Sequence, residues 1–145
     1  MGTNVSTYLS DHFTLEEMTV TKYKQYNNTP LDTARGNLEQ LCKQVLEPIR
    51  VALGNKPLYV SSGFRSKYIN QLVGGAQNSY HTQGLAADLP FGSARAAITA
   101  AFMILSLNLP LAELILCRRG ESHWVHVALA LPGVHKRYVG VKQYG

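Results

Sequence analysis

The feature that most constrains the fold is a change in the spacing of apolar residues along the chain. In the first half, apolar residues recur every three or four positions, the period of an amphipathic helix, at Leu38, Leu41, Val45, Ile49 and Leu53. In the second half, strand-length apolar runs follow one another as LAELIL, HWVHVAL and KRYVGV, separated by RRGES and PGVH. Because helical patterns come early and strand patterns late, the sequence predicts an α+β fold, with helices of the N-terminal half packed on a mainly antiparallel sheet.

Smaller signals place the remaining elements. A capping box formed by Thr14 and Glu17 predicts a short helix near residue 15, and Ser66 caps a second helix over KYINQLV. Ser93 caps a third, alanine-rich helix, while PLYVSSGF and LAADL are predicted strands. Pro48 lies inside the long helical pattern, so we expect it to kink that helix or split its last turn.

Bulk properties narrow the class of protein. The chain has 145 residues and shows neither a repeat nor a linker, so we expect a single domain over residues 1–145 and, by default, a monomer. A net charge of +5 favours contact with anionic material, but the basic residues do not form the dense stripe typical of nucleic-acid binding. The longest apolar stretch, AAITAAFMILSLNLPLAELILC, is interrupted by polar residues and a proline, so we expect a helix followed by a strand rather than a membrane span. The start MGTNVSTYLSDHF lacks the features of a signal peptide.

Three polar residues have chemistry that does not suit their neighbours. Asp88 lies in the apolar run LAADLP, His126 lies in WVHVAL, and His81 follows a loop rich in Gly, Asn and Ser. A buried carboxylate is costly unless it is paired or binds a metal, and two imidazoles with one carboxylate suit a catalytic zinc. Gly84 allows a turn that folds His81 back towards the strand. The pattern alone leaves open a core histidine, a capping aspartate and a surface histidine instead.

The order of three motifs resembles a known family. SSGFRS, SYHTQGLAADL and WVHVAL occur in the same order as in the zinc peptidases of the M15 family, which include D-alanyl-D-alanine carboxypeptidases and phage endolysins. The lead-in NLEQLCKQVLEPIR and the stretch VGGAQNSYH resemble the small single-domain branch of that family. The resemblance covers roughly residues 12 to 142 and implies the fold shared with the hedgehog signalling domain.

The resemblance also implies a mechanism. It assigns zinc to His81, Asp88 and His126, and a peptidoglycan stem peptide as the substrate that metal-activated water hydrolyses. Arg65 matches the arginine that binds substrate and stabilises the oxyanion, for which a planar and always charged guanidinium is well suited. Ser79 matches a serine that holds substrate or the loop, although a simple turn serine fits the pattern nearly as well.

The expected general base is where this sequence departs from the family. A carboxylate usually lies three residues before the last zinc histidine, whereas His123 occupies that position here. A neutral imidazole can also accept a proton, so the sequence predicts His123 as the base, with Glu121 as the second choice. Residues three apart face opposite sides of an ideal strand, so this role requires an irregular start of the strand. Glu113 is left either as an orienting partner of a zinc histidine or as an edge-facing charge.

Three whole-protein functions follow. The first is a zinc peptidase of bacterial or phage origin acting at the cell wall or periplasm, as a D,D-carboxypeptidase or an endopeptidase. The second is a weak or inactive zinc-containing module of the same fold that binds the cell wall or a partner, which the histidine at position 123 favours. The third is an ordinary core without metal. The single Trp124 is expected in the core rather than stacked on substrate.

Overall fold

The computed structural model describes residues 7–145 and has a mixed α+β fold, as predicted. Residues 1–6, which begin the stretch searched for a signal peptide, lie outside this range. The helices are α1 (Leu15–Met18), α2 (Asp32–Leu41), α3 (Glu47–Ala52), α4 (Lys67–Leu72) and α5 (Ala94–Ser106). The strands are β1 (Ala86–Phe91), β2 (Leu111–Arg119), β3 (Ser122–Leu129) and β4 (Tyr138–Tyr144). In the described range no helix has the length and apolar character needed to span a bilayer.

The four strands form one sheet in the order β1-β3-β2-β4. β3 pairs antiparallel with β1 on one side and with β2 on the other, while β4 runs parallel to β2 at the edge. The mainly antiparallel sheet was therefore predicted correctly, including the strands expected at LAADL, LAELIL, HWVHVAL and KRYVGV. Because side chains alternate along each strand, one face of the sheet packs in the core and the other face can carry polar, functional side chains.

The helices cover the core face. Buried side chains of α2 and α5 pack with the apolar residues of β1, β2 and β3; this cluster includes Leu38, Leu41, Leu89, Ala97, Ala100, Ile104, Leu114, Val125 and Val127. The predicted helical stripe is thus the packing surface, although α5 follows β1 rather than belonging to the N-terminal half. Cys42 and Cys117 are free, buried thiols, and burial raises the pKa of each to about 12.

The long helical pattern is split, as expected from Pro48. Between α2 and α3 the chain forms a π-helical segment, Cys42–Leu46, and Pro48 then lies in the first turn of α3. Proline lacks a backbone N–H, so it fits best where a helical segment begins. The single π turn keeps Val45 and Ile49 buried on the same core.

The predicted strand at PLYVSSGF is wrong. That segment contains only an isolated antiparallel bridge between Ser62 and Asp88. It cannot lengthen into a ladder because the chain turns away to pack on the N-terminal part: Phe64 N–H donates to the Met18 carbonyl at 2.7 Å, and a Cβ on Gly63 would collide with that same carbonyl. The bridge holds the backbone of Asp88 through two hydrogen bonds, from Ser61 N–H to its carbonyl at 2.9 Å and from its N–H to Ser62 at 2.8 Å.

Candidate metal centre

Strand register brings Asp88 and His126 together. The two residues are direct partners in the β1–β3 ladder. Directly opposed side chains on neighbouring strands lie on the same face within contact distance. Val125 and Val127, the neighbours of His126 in sequence, point the other way and are fully buried in the core. The apolar neighbours that made these two polar residues conspicuous therefore belong to the other side of the sheet.

His81 reaches the same place from a loop. It lies in a 3₁₀ turn, Tyr80–Gln83, whose N-cap Ser79 accepts a hydrogen bond from His81 N–H at 3.1 Å. The turn ends at Gly84, whose φ of 74° is left-handed and whose missing Cβ leaves room for the Ala34 carbonyl. The turn expected at Gly84 therefore exists, and it buries His81 against the start of β1.

The three side chains converge. His126 Nδ1 lies 2.9 Å and His81 Nε2 lies 3.4 Å from the same oxygen, Asp88 Oδ1. The two imidazole rings are 5.1 Å apart between centroids. One nitrogen or oxygen from each residue can be chosen so that all three atoms lie within 4.8 Å of one another, which is the arrangement that a single metal ion requires.

In each histidine, the ring nitrogen that faces away from the centre has a hydrogen-bond partner, and this partner sets the orientation of the ring. His81 Nδ1 lies 2.7 Å from the Gly63 carbonyl, which can only accept, so Nδ1 carries the proton and Nε2 faces Asp88. His126 Nε2 lies 2.8 Å from Glu113 Oε1, which leaves Nδ1 for the centre. Glu113 is therefore an orienting partner of His126 rather than an edge-facing charge. Metal-binding histidines usually have such an acceptor behind them.

The charges of the centre are strongly coupled. Burial by itself would raise the pKa of Asp88, but His81 and His126 hold that pKa well below its usual range. Burial would lower the pKa of His126, yet the carboxylates of Asp88 and Glu113 together raise it to about 9. A cation is thus favoured at this position, and a divalent ion can replace the proton on Nδ1. Two imidazole nitrogens and a carboxylate oxygen form a donor set that fits zinc.

The centre opens into a cleft of about 390 Å³. Arg65 lines it, with a buried Nε that has no hydrogen-bond partner within residues 7–145. Burial lowers the pKa of Arg65, while the charge of Asp88 raises it, so the guanidinium lies within electrostatic range of the centre. A buried donor without an acceptor is costly. Ser79 also lines the cleft, while its hydroxyl caps the turn that carries His81.

The two residues predicted as general base are not brought to the cleft. His123 is paired in regular register with Phe91 of β1 and Arg118 of β2, so the irregular strand start that its role requires is absent. Regular alternation puts His123 on the face opposite His126. Glu121 lies in the exposed turn between β2 and β3. Neither residue lines the cleft, whereas Glu113 does.

Sequence reasoning missed the far side of the cleft. Arg119, Lys142 and Tyr144 line it, and Trp124 stacks on Tyr144 with ring centroids 5.4 Å apart. The expectation that Trp124 lies in the core is therefore wrong, because it shares the face of His126 and not that of Val125. The signal was alternation: in β4 every second residue, including Lys142 and Tyr144, points to one side.

Comparison with known proteins agrees with this geometry. The family model of Peptidase M15 matches residues 11–128. The chain is 52% identical over 62 residues to the zinc D-Ala-D-Ala carboxypeptidase of Streptomyces albus G, a match that spans 42% of this chain and 24% of that protein. Both findings indicate zinc as the metal for the centre formed by His81, Asp88 and His126. The chain belongs to the M15 family of zinc metallopeptidases.

Proposed function

We propose that this chain hydrolyses peptidoglycan stem peptides, with zinc held by His81, Asp88 and His126. The observation that supports this most directly is the approach of His81 Nε2 and His126 Nδ1 to one carboxylate oxygen of Asp88. The S. albus G relative is a carboxypeptidase for D-Ala-D-Ala, the bond class found in such peptides, and the same substrate class is proposed here. This assignment puts the site of action at the bacterial cell wall.

Zinc held by these residues would lower the pKa of a coordinated water towards neutrality and would polarise the scissile carbonyl. The protein's part is to keep the ligands in place. Gly63 holds His81 through its carbonyl, Glu113 holds His126, and the bridge to Ser62 holds the backbone of Asp88. With each ligand fixed by a second contact, little reorganisation is needed when substrate arrives.

Arg65 is proposed to bind the carbonyl oxygen of the scissile bond. Arg65 lines the cleft, its buried Nε has no acceptor within the described residues, and its charge interacts with that of Asp88. A donor aimed at an oxygen that gains negative charge in the transition state accelerates hydrolysis. Ser79 is proposed to act mainly by holding the turn of His81, because its hydroxyl already accepts the hydrogen bond from His81 N–H.

The proton acceptor is proposed from geometry. Glu113 is the carboxylate that lines the cleft without being one of the three ligands, and its Oε2 has no hydrogen-bond or ion-pair partner within residues 7–145. It can therefore hold His126 with one oxygen and accept a proton with the other. For His123 to serve instead, the start of β3 would have to leave its regular pairing.

The test is to load the purified protein with zinc and to incubate it with peptidoglycan and with D-Ala-D-Ala peptides. We expect one zinc per chain and new peptide termini, identified by mass spectrometry, which also reports the bond that is cut. A protein with one zinc that is inert on peptidoglycan and on all these peptides would contradict the proposal.

A second function is favoured by one observation. The family's usual carboxylate before the last zinc histidine is replaced by His123, which the structure keeps away from the cleft. A zinc-containing module that binds cell-wall peptides without cutting them would show saturable binding to peptidoglycan and no new termini. Zinc loading is common to both functions, so turnover is the measurement that separates them.

A further inference from the structure

One side of the cleft is built from ring faces and cations. Tyr144 stacks on Trp124, with centroids 5.4 Å apart and the ring planes at 23°. Lys142 Nζ lies 4.9 Å and Arg119 Cζ lies 5.1 Å from the centroid of the Tyr144 ring. These four residues, which all line the cleft, are called the aromatic–cationic wall. The wall comes from the ends of β2 and β4 and the start of β3.

The two cations of the aromatic–cationic wall have no carboxylate partner within the described residues. Within residues 7–145, neither Arg119 nor Lys142 forms an ion pair with a carboxylate. The two carboxylates that line the cleft, Asp88 and Glu113, are each in contact with His126 instead. A bound zinc ion would add positive charge on that side. The cleft therefore favours the binding of a negatively charged group.

Contacts to the Tyr144 ring leave the hydrogen-bond donors of both cations available. A ring face attracts the charge of an ammonium or guanidinium group but accepts no conventional hydrogen bond in its plane. Lys142 keeps three N–H donors and Arg119 keeps five. The ring also limits the rotamers of both side chains, which lowers the entropy lost when they hold a ligand.

We propose that the aromatic–cationic wall binds a carboxylate on an acidic residue of the peptide substrate, at a position away from the scissile bond. Arg119 and Lys142 supply the hydrogen bonds, and Tyr144 with Trp124 supplies an apolar surface for the adjoining peptide. The inference rests on the proposed function only for the identity of the ligand as a stem peptide. It makes the wall a specificity determinant, distinct from Arg65 and from the metal ligands.

The probe is a pair of stem pentapeptides that differ in one charge. One carries a free α-carboxylate on its D-isoglutamyl residue and the other carries a carboxamide there, with the same free C-terminus. Trp124 is the single tryptophan of the sequence, so its fluorescence reports occupancy of the wall. Stopped-flow mixing with zinc-loaded protein records binding before turnover, which at a typical rate takes on the order of 100 ms.

Matched variants isolate the wall. R119Q and K142M each remove one of its charges, whereas R118Q removes the neighbouring charge from the opposite face of β2. Arg118 donates its Nε–H to the Gly120 carbonyl at 2.9 Å and does not line the cleft. Exposed charges contribute modestly, so we expect the wild type to bind the carboxylate peptide about fivefold tighter than the carboxamide. R118Q should keep this ratio, R119Q and K142M should each lower it to about twofold, and the double variant should bring it close to one.

Three results would overturn the inference: equal affinity of the wild type for both peptides, a ratio that survives in the R119Q and K142M double variant, or binding of neither peptide. Circular dichroism and zinc content of each variant check that the fold and the centre are intact. Hydrolysis is measured separately. Charge-selective binding without hydrolysis would overturn the proposed peptidase function and leave the wall inference standing.

Discussion

The two sides of the cleft are built in different ways. The metal side consists of His81, Asp88 and His126, which are buried or half-buried and connected by hydrogen bonds. The opposite side, the aromatic–cationic wall, holds exposed Arg119 and Lys142 by contact with a ring rather than by hydrogen bonds. The metal ligands lie within residues 11–128, which match the M15 family model, whereas β4 begins at Tyr138, beyond that match.

The difference separates two roles within the cleft: metal binding on one side and substrate recognition on the other. Metal chemistry requires ligand atoms at defined positions, and buried hydrogen bonds hold them there. Loss of any partner leaves a buried polar group unsatisfied, which is destabilising. Recognition of a substrate charge tolerates looser geometry, because Coulomb attraction varies slowly with distance. Substitutions on the metal side should therefore have large effects on zinc and turnover, and those on the wall should have small effects on substrate preference.

The largest effect is expected for Asp88→Ala. Removing the oxygen that contacts both histidines leaves two imidazoles without the third ligand, so stoichiometric zinc should be lost and turnover should fall by at least about a thousandfold. Atomic absorption and peptide hydrolysis measure the two quantities. R118Q is the control for a substitution outside the cleft. Full zinc and activity in Asp88→Ala would show that the metal lies elsewhere.

A smaller effect is expected for Glu113→Ala. His126 keeps Nδ1 for the metal but loses the acceptor at Nε2, which typically weakens metal affinity about 10–100-fold. Loss of the proposed proton acceptor should also lower turnover by about a hundredfold. Competition with a chelator measures the zinc affinity, and Glu113→Gln, which retains an acceptor oxygen, should recover part of it. If zinc affinity stays the same while turnover disappears, Glu113 acts on the proton alone.

His123→Ala tests the general base predicted from the sequence. Because His123 is regularly paired and does not line the cleft, we expect zinc to be retained and turnover to change by less than about tenfold. The measurement is kcat and zinc content beside those of Asp88→Ala. A loss of turnover with full zinc would establish His123 as the base and show that the start of β3 rearranges on binding substrate.

The smallest effect is expected for Tyr144→Ala. It removes the ring that stacks on Trp124, and an aromatic pair of this kind contributes about 0.5–1.5 kcal/mol beyond burial. Thermal or urea unfolding should show a loss of that order, with zinc content unchanged and altered tryptophan fluorescence. Loss of zinc in this variant would mean that the two sides of the cleft are structurally coupled.

Much of the fold could be predicted from local patterns, which also singled out the three candidate metal ligands, whereas their assignment to zinc came from the resemblance to the M15 family. Thr14, Ser66 and Ser93 cap helices as expected, because a cap depends on the next three residues alone. Asp88 and His126 were recognisable because each is a polar side chain within a run of apolar residues. The strand predicted over PLYVSSGF failed because its pairing depends on Met18 and on the bridge to Asp88, which no local pattern contains.

By itself the sequence determined which residues alternate on each strand, where helices begin, and which side chains have chemistry unsuited to the core. Only the tertiary structure decided that Glu113 contacts His126, that His123 faces away, and that Arg119, Lys142 and Tyr144 meet at one wall. The physical reason is that alternation fixes a side chain's face relative to its own strand. Which side chains meet across strands depends on register and sheet order, and these are set by packing between distant parts of the chain.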